Sequence, residues 1–343
     1  MGTRTSDGAW RHGLRGRTEL VIVVETDQEI ETVVVAYADI IPEHIEHRVD
    51  MADGRTVAVA EWGDPEGLPL FSIHGTPGGR IGWWKDPTIY RRYRLRRITL
   101  DRAGYGESTR LRDRRVADFV PDVEQVAEAL GVDRFLVSGG SGGGPHALAC
   151  AALLPDRVIR CQAAVSVAPY GVDDLDWLAG QTEGNVVEFK AALEGEEAAQ
   201  RLCTELRATA LERLAADRLD WMGDGYDLSE ADLAQERRHF ARMRAHLVNA
   251  LAPGADGWVD DNIAFTKPWG FDVADIRVPV LLTYGRSDVL VPAAHGDWLA
   301  RHIPGAIAWV DDTAGHFGDD ASVDREYTWL AGHEALEPAP AEA

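Results

Sequence analysis

Cysteine is scarce in this chain, lysine is scarce beside arginine, and long apolar runs are missing. The three cysteines, Cys150, Cys161 and Cys203, are odd in number and show no C-x-x-C spacing, so neither a disulfide framework nor a zinc site is expected. No metal and a reducing compartment follow from that reading. No stretch approaches the roughly 18 apolar residues of a membrane span, and the opening residues lack an apolar core leading to a small-residue cleavage site. A soluble, cytoplasmic protein is the expectation. Basic charge is also short: 35 Lys and Arg against 57 Asp and Glu leave a formal charge of -22. That excess disfavours nonspecific attraction to nucleic acid or to an anionic membrane surface, so neither is expected as a partner. Only Lys85, Lys190 and Lys267 are lysines, a skew that fits GC-rich coding and carries no mechanism.

What is present is 45% hydrophobic content, enough for a substantial core, arranged in a rhythm of short apolar runs and amphipathic stretches. Both ends, Met1 to Arg17 and Glu334 to Ala343, are polar or rich in Pro, Ala and Glu and read as disordered tails. Residues 1–43 form an N-terminal extension. Within it, TELVIVVETDQEIETVVVAYADI holds two β-branched runs around an acidic turn, a pattern open to a small hairpin, a helix or a poorly ordered extension. From about residue 44, EHRVDMADGRTVAVAEWG alternates around Asp53-Gly54 and reads as an antiparallel hairpin. The runs LPLFSIHG, RLRRITLD, RFLVSGGS, CQAAVSVAP, VPVLLTYG and AIAWVDD read as buried parallel strands, most of them separated by helical segments. The expected fold class is therefore α/β, a mostly parallel sheet with helices on both faces. Between Pro169 and Val278 the rhythm stops, and Glu196 to Trp221 and Ser229 to Leu251 have helical periodicity. The expected division is a core from 44–170 and 272–333, a helical cap over 171–271, and a tail over 334–343.

The strongest local signal is Gly139-Gly140-Ser141-Gly142-Gly143, a G-x-S-x-G sequence between a strand and a helix. A nucleophile at a sharp strand-to-helix turn needs little side-chain bulk around it, which accounts for glycines two before and two after Ser141. A glycine-rich phosphate loop or a plain tight turn reads the pentapeptide alone equally simply. A serine hydroxyl is a weak nucleophile, so a base must take its proton and a third group must orient that base. Asp288 in GRSDVLVP and His316 in AGHFGDD each follow a strand, giving the order Ser, Asp, His at strand C-terminal ends. Each alone also fits a turn-capping carboxylate or an ordinary loop histidine. The tetrahedral oxyanion of such chemistry needs backbone donors. In LPLFSIHGTPGGR, Pro77 has no N–H, which leaves Thr76 as the donor from that loop and Gly142 as the second. His74 is read as a structural group that fixes the loop by a hydrogen bond.

HGTPGG, DRAGYGES, GGSGGG, GRSDVLVP and AGHFG, in this order from about residue 44 to 332, resemble the α/β-hydrolase superfamily. The resemblance implies an eight-stranded, mostly parallel sheet, a cap between the sixth and seventh strands, no cofactor, and structural roles for Asp101 and Arg102. Serine at 141 excludes the aspartate nucleophile of haloalkane dehalogenases and epoxide hydrolases. The H-G-x-P-G loop is similar to that of proline iminopeptidases, which usually carry tryptophan where this chain has Gly142. Acidic cap residues Glu183, Glu188 and Glu205, which could meet a substrate amine, read as a solvated face. Trp83, Trp84, Tyr170 and Trp177 are expected to bind a small-molecule substrate, with Trp221, Trp258, Phe265 and Trp269 as further aromatic candidates. The activity implied is serine hydrolysis of a small to medium apolar carboxylic ester or lactone through an acyl-enzyme. An iminopeptidase-like aminopeptidase, a carbon-carbon bond hydrolase, a perhydrolase and a ligand receptor on the same fold remain open, as does the oligomeric state.

Overall fold

The computed structural model describes residues 19–25, 30–36, 41, 43–81 and 88–332. Both expected tails, and Trp83 and Trp84, lie outside the described residues. In the extension, β1 (Glu19–Glu25) and β2 (Ile30–Ala36) pair antiparallel, from Glu19 opposite Ala36 to Glu25 opposite Ile30. The second hairpin, β3 (Ile45–Asp50) and β4 (Thr56–Gly63), turns at Gly54, whose φ of +86° is available to glycine at little cost. It supplies the antiparallel edge of the main sheet.

The chain then alternates through β5 (Leu68–Ile73), α1 (Thr88–Arg92), β6 (Leu95–Leu100), α2 (Val120–Ala129), β7 (Phe135–Gly140), α3 (Gly143–Leu153) and β8 (Val158–Ala164). Four helices follow: α4 (Glu183–Glu194), α5 (Glu196–Ala215), α6 (Glu230–Leu251) and α7 (Asp256–Phe265). The sheet resumes with β9 (Val280–Gly285), α8 (Ala293–His302), β10 (Ile307–Asp311) and α9 (Asp320–Ala331). The eight strands run in the order β10-β9-β8-β7-β5-β6-β4-β3, parallel from β10 to β6 and antiparallel beyond. The eight-stranded, mostly parallel α/β sheet is the fold class expected from sequence.

Burial explains the sequence pattern. All six residues of β9 are buried, as befits a central parallel strand covered on both faces, whereas the edge strand β10 is partly exposed. Helix α3 buries Gly143 through Ala151 and so reads as an apolar run rather than as an amphipathic one. Because the parallel strands point the same way, the loops after β5, β6, β7, β9 and β10 emerge at one edge of the sheet. Helices α4 to α7 occupy the interval between β8 and β9. Among the described residues, no helix is long and apolar enough to cross a membrane.

Candidate active site

Ser141 stands at the junction of β7 and α3 with φ at +54°, a left-handed conformation that costs a non-glycine residue about 1–2 kcal/mol. The turn is held by the Ser141 N–H donating to the Ala164 carbonyl at 2.9 Å and the Gly144 N–H donating to the Ser141 carbonyl at 2.9 Å. Three of the four flanking glycines, Gly139, Gly142 and Gly143, are required by crowding. A Cβ on Gly139 would run into the Gly143 carbonyl, and one on Gly143 would run into the carbonyls of Ile73 and His74. The strand, the turn and the neighbouring loop after β5 therefore meet at backbone distance.

His316 follows β10, which lies three strand positions from β7, roughly 14 Å at ordinary strand spacing. The loop after β10 crosses the end of β9. There Gly285 packs against Ala314 so closely that a Cβ would strike the Ala314 carbonyl, and the Ser287 N–H donates to that same oxygen at 3.0 Å. Asp288 is 4% exposed, and its Oδ1 accepts the N–H groups of Leu290 and Val291, both at 2.8 Å. Its Oδ2 accepts from His316 Nδ1 at 2.8 Å. With Nδ1–H so committed, Nε2 is the nitrogen left to take a proton. Burial by itself lowers the basicity of His316, but the charge and hydrogen bond of Asp288, with Asp232 adding to them, raise it above the ordinary histidine value of 6.5. Ser141 and His316 line the same cavity.

The loop after β5 brings Thr76 against Gly142: a Cβ on Gly142 would meet the Thr76 side chain. Neither amide N–H is engaged by another described residue, so both remain available to an oxyanion. His74 holds the loop, its Nδ1 donating to the Gly75 carbonyl at 2.7 Å while Nε2 accepts the Arg102 N–H at 3.1 Å. Burial first, and the Arg102 charge second, keep His74 well below the ordinary histidine range, hence neutral. The Arg102 guanidinium donates to the carbonyls of His74 and Gly75 and to Thr76 Oγ1. Asp101 shapes the turn by accepting the Glu107 N–H at 2.9 Å and pairing with Arg80. A cap residue completes this cluster. Asp261 on α7, fully buried, accepts from Arg102, from Arg114 at 2.6 Å, from Tyr105 at 2.9 Å and from Thr76 Oγ1 at 2.5 Å. Burial opposes its charge, yet the two guanidiniums hold its carboxyl well below the usual range.

A cavity of about 1030 Å³ opens from the Ser141 turn beneath the cap, walled there by Phe189, Trp221, Trp258 and Phe265. Two of the expected substrate-binding aromatics are elsewhere. Trp177 is buried in the core, donates its indole N–H to the Ala168 carbonyl at 2.6 Å and packs edge-on to Phe189, while Tyr170 packs against Trp177; neither lines the cavity. Both follow β8 closely, where the chain is still folding against the sheet. Trp269 is also core and stacks on Phe271. The solvated-face reading fits exposed Glu183 and Glu205 but fails for Glu188, which is 6% exposed and lines the cavity. Its Oε1 accepts from the Tyr226 hydroxyl, and its Oε2 from Trp258 Nε1 at 2.6 Å and Asn262 Nδ2 at 2.8 Å. All three donors are neutral, and burial outweighs them, leaving the carboxyl raised above its ordinary value.

A family model described as alpha/beta hydrolase fold matches residues 69–318. The chain belongs to the α/β hydrolase fold family. Among its α/β hydrolase relatives, the proline iminopeptidase of Xanthomonas citri is 38% identical over 107 residues, which is 29% of this chain and 33% of that protein. This chain thus spans about a third of the length of that relative. The pimeloyl-[acyl-carrier protein] methyl ester esterase of Nitrosomonas europaea is 26% identical over 253 residues, covering 73% of this chain and 89% of that one. The solved structure of a hydrolase from Pseudomonas aeruginosa PA01 superposes with a TM-score of 0.62 at 21% identity, over 84% of this chain and 98% of that one. That likeness is one of fold.

Sequence reasoning passed over Asp261, misjudged Glu188 and did not single out Asp232. One signal was available: α7 carries Asp260, Asp261 and Asn262 in succession, all buried, beside an apolar Trp258-Val259 pair. Consecutive polar residues that a short helix turns inward need partners, and Arg102 and Arg114 come from the conspicuous DRAGYGES loop and its continuation.

Proposed function

We propose that this α/β hydrolase is a serine hydrolase that cleaves a small to medium apolar carboxylic ester or lactone through an acyl-enzyme. The observation that carries the reading is the left-handed Ser141 turn sharing a cavity with a histidine whose Nδ1 is held by a buried aspartate. Ser141 Oγ attacks the carbonyl carbon as its proton passes to His316 Nε2. The N–H groups of Thr76 and Gly142 receive the oxyanion, and collapse of the tetrahedral adduct expels the alkoxide, which takes the proton back from His316. Water, deprotonated by the same nitrogen, then releases the acid. The aromatic wall under the cap favours an apolar acyl or ring group. The partial-length kinship with an ester hydrolase agrees with this choice.

One observation favours a second reading. Glu188 is a buried carboxylate in the cavity wall whose hydrogen-bond donors among the described residues are neutral, so it would welcome a cationic group on the substrate. An N-terminal amine is such a group, and the relatives include proline iminopeptidases. Hydrolysis of p-nitrophenyl esters of graded chain length, with proline p-nitroanilide alongside, separates the two. Ester turnover that vanishes in Ser141→Ala supports the first reading. Preference for the anilide, lost in Glu188→Gln through KM, supports the second. Silence on every substrate, with no labelling of Ser141, removes both and leaves a receptor on this fold.

A further inference from the structure

The loop that carries His316 is gripped from two sides by different parts of the molecule. From the sheet side, Asp311 Oδ1 accepts the N–H groups of Thr313 and Ala314 at 2.8 and 2.9 Å, and Ser287 ties down Ala314. From the other side comes the first turn of α6. Ser229 caps that helix: its hydroxyl accepts the Asp232 N–H at 3.2 Å and donates to Asp232 Oδ2 at 2.7 Å. The second carboxylate oxygen reaches out of the helix. Asp232 Oδ1 accepts the N–H of Phe317, the residue after His316, at 2.7 Å. Gly315 permits this approach, because a Cβ there would run into the Asp232 carboxylate and the Ser229 hydroxyl.

Asp232 is 0% exposed, and these partners are uncharged. A mere tether could be an asparagine, without the cost of burying a charge. The charge has one evident beneficiary, since an imidazolium forms at His316 whenever Ser141 yields its proton.

We infer that Asp232 is a positioning residue for His316: from the cap it fixes the histidine loop against the Ser141 turn, and its carboxylate supports the imidazolium, so the triad is complete only with α6 docked. The inference rests on the serine-hydrolase reading. The charges that act on His316 are those of Asp288, beside its ring, and Asp232; the other titratable groups of the two elements are Asp311 and Asp312 at the end of β10 and Glu236 and His239 further along α6, the latter 3.9 Å from Asp320.

The test is the rate of Ser141 labelling by a fluorophosphonate probe across pH, with thermal melts alongside. In that step Ser141 Oγ bonds to phosphorus, fluoride leaves, and the serine proton passes to His316. Asp232→Ala should label at least about tenfold more slowly at the alkaline plateau, as expected for a displaced base. Asp232→Asn retains an acceptor for Phe317, and its amide can donate to Ser229. It should stay within about threefold of native at the plateau while its midpoint falls by about half a pH unit. If Asp232→Ala fails to fold, the asparagine midpoint decides. Native rate and midpoint in both variants, or equal slowing with an unmoved midpoint, overturns the inference. Absence of labelling in the native protein removes instead the hydrolase reading beneath it.

Discussion

The strand-end loops and the cap place charged groups by opposite means. At the sheet edge, Ser141, Asp288 and His316 are set by backbone: a left-handed turn, two N–H groups on Asp288 Oδ1, and a loop crossing the end of β9. In the cap, Asp261, Glu188 and Asp232 are buried carboxylates that are each satisfied differently, the first two by side chains far away in sequence. Asp261 meets two guanidiniums, Glu188 meets three neutral side-chain donors, and Asp232 meets a hydroxyl and one backbone N–H. On the proposed serine-hydrolase reading the sheet edge supplies the reacting groups, while Asp261 and Asp232 tie the cap to their loops through Thr76 and Phe317. Substitutions should therefore separate activity from stability at the edge and merge them in the cap.

The largest effect is expected at Ser141. Ser141→Ala should lower turnover by at least about a thousandfold with the fold intact by circular dichroism. Ser141→Gly should be equally inactive yet melt above the alanine variant, because glycine relieves the φ of +54° that alanine must still bear. A glycine variant that melts lower would show that the turn is unstrained. Asp261→Ala tests the other region and should cost about 3–5 kcal/mol in urea denaturation, since the buried guanidiniums of Arg102 and Arg114 lose the carboxylate they pair with. Asp261→Asn should recover little of this, because it keeps the acceptor and loses the charge. Activity should fall with stability in both, through the Thr76 loop. Preserved activity in a destabilised Asp261 variant would break the proposed merger.

Glu236 sharpens the contrast within the cap. It is fully buried, Trp221 donates to its Oε1 at 3.1 Å, Oε2 has no hydrogen-bond partner among the described residues, and burial pushes its pKa up to about 7. A carboxyl raised in this way is protonated in the folded chain and ionised in the unfolded one between its ordinary value and about 7, so stability falls as pH rises through that window. Glu236→Gln should show little difference from native at pH 4 and gain about 3 kcal/mol over it by pH 8, read from urea midpoints. Asp261 behaves oppositely. Its depressed pKa contributes stability that is present above the ordinary aspartate value and lost only as pH falls toward the folded one.

The same contrast explains what could be read from the sequence. Strands β6, β7 and β9 are legible because burial on both faces writes continuous apolar runs, and Ser141 because crowding requires glycine at 139, 142 and 143. Order along the chain then selected Asp288 and His316. The cap helices α5 and α6 show periodicity, but α4 and α7 turn Glu188, Asp260, Asp261 and Asn262 inward and so have no clean apolar stripe. Their partners lie from 38 to 185 residues away, a relation that local pattern does not carry. Tyr170 and Trp177 were misplaced for a related reason. An aromatic just past a strand end suits the core and the pocket equally, and the Ala168 carbonyl draws Trp177 to the core.

The smallest expected effect compares edge and cap on a single group. The His316 ring titration, followed by NMR of its imidazole, should have its midpoint above 6.5 in the native protein. A proton acceptor must be neutral, so activity should rise with pH through that same midpoint. Burial alone would take the midpoint below 6.5, and the acidic neighbours reverse the sign. Asp288→Asn removes the larger of them, a charge hydrogen-bonded to the ring, and should carry the midpoint below 6.5. Asp232→Asn removes a charge on α6 that meets the loop one residue past His316 and should lower it less. Equal shifts would mean that the cap carboxylate faces the ring as directly as the strand-end one. An unmoved midpoint in Asp288→Asn would mean that the ring has another partner, and the orienting role of Asp288 would have to be given up.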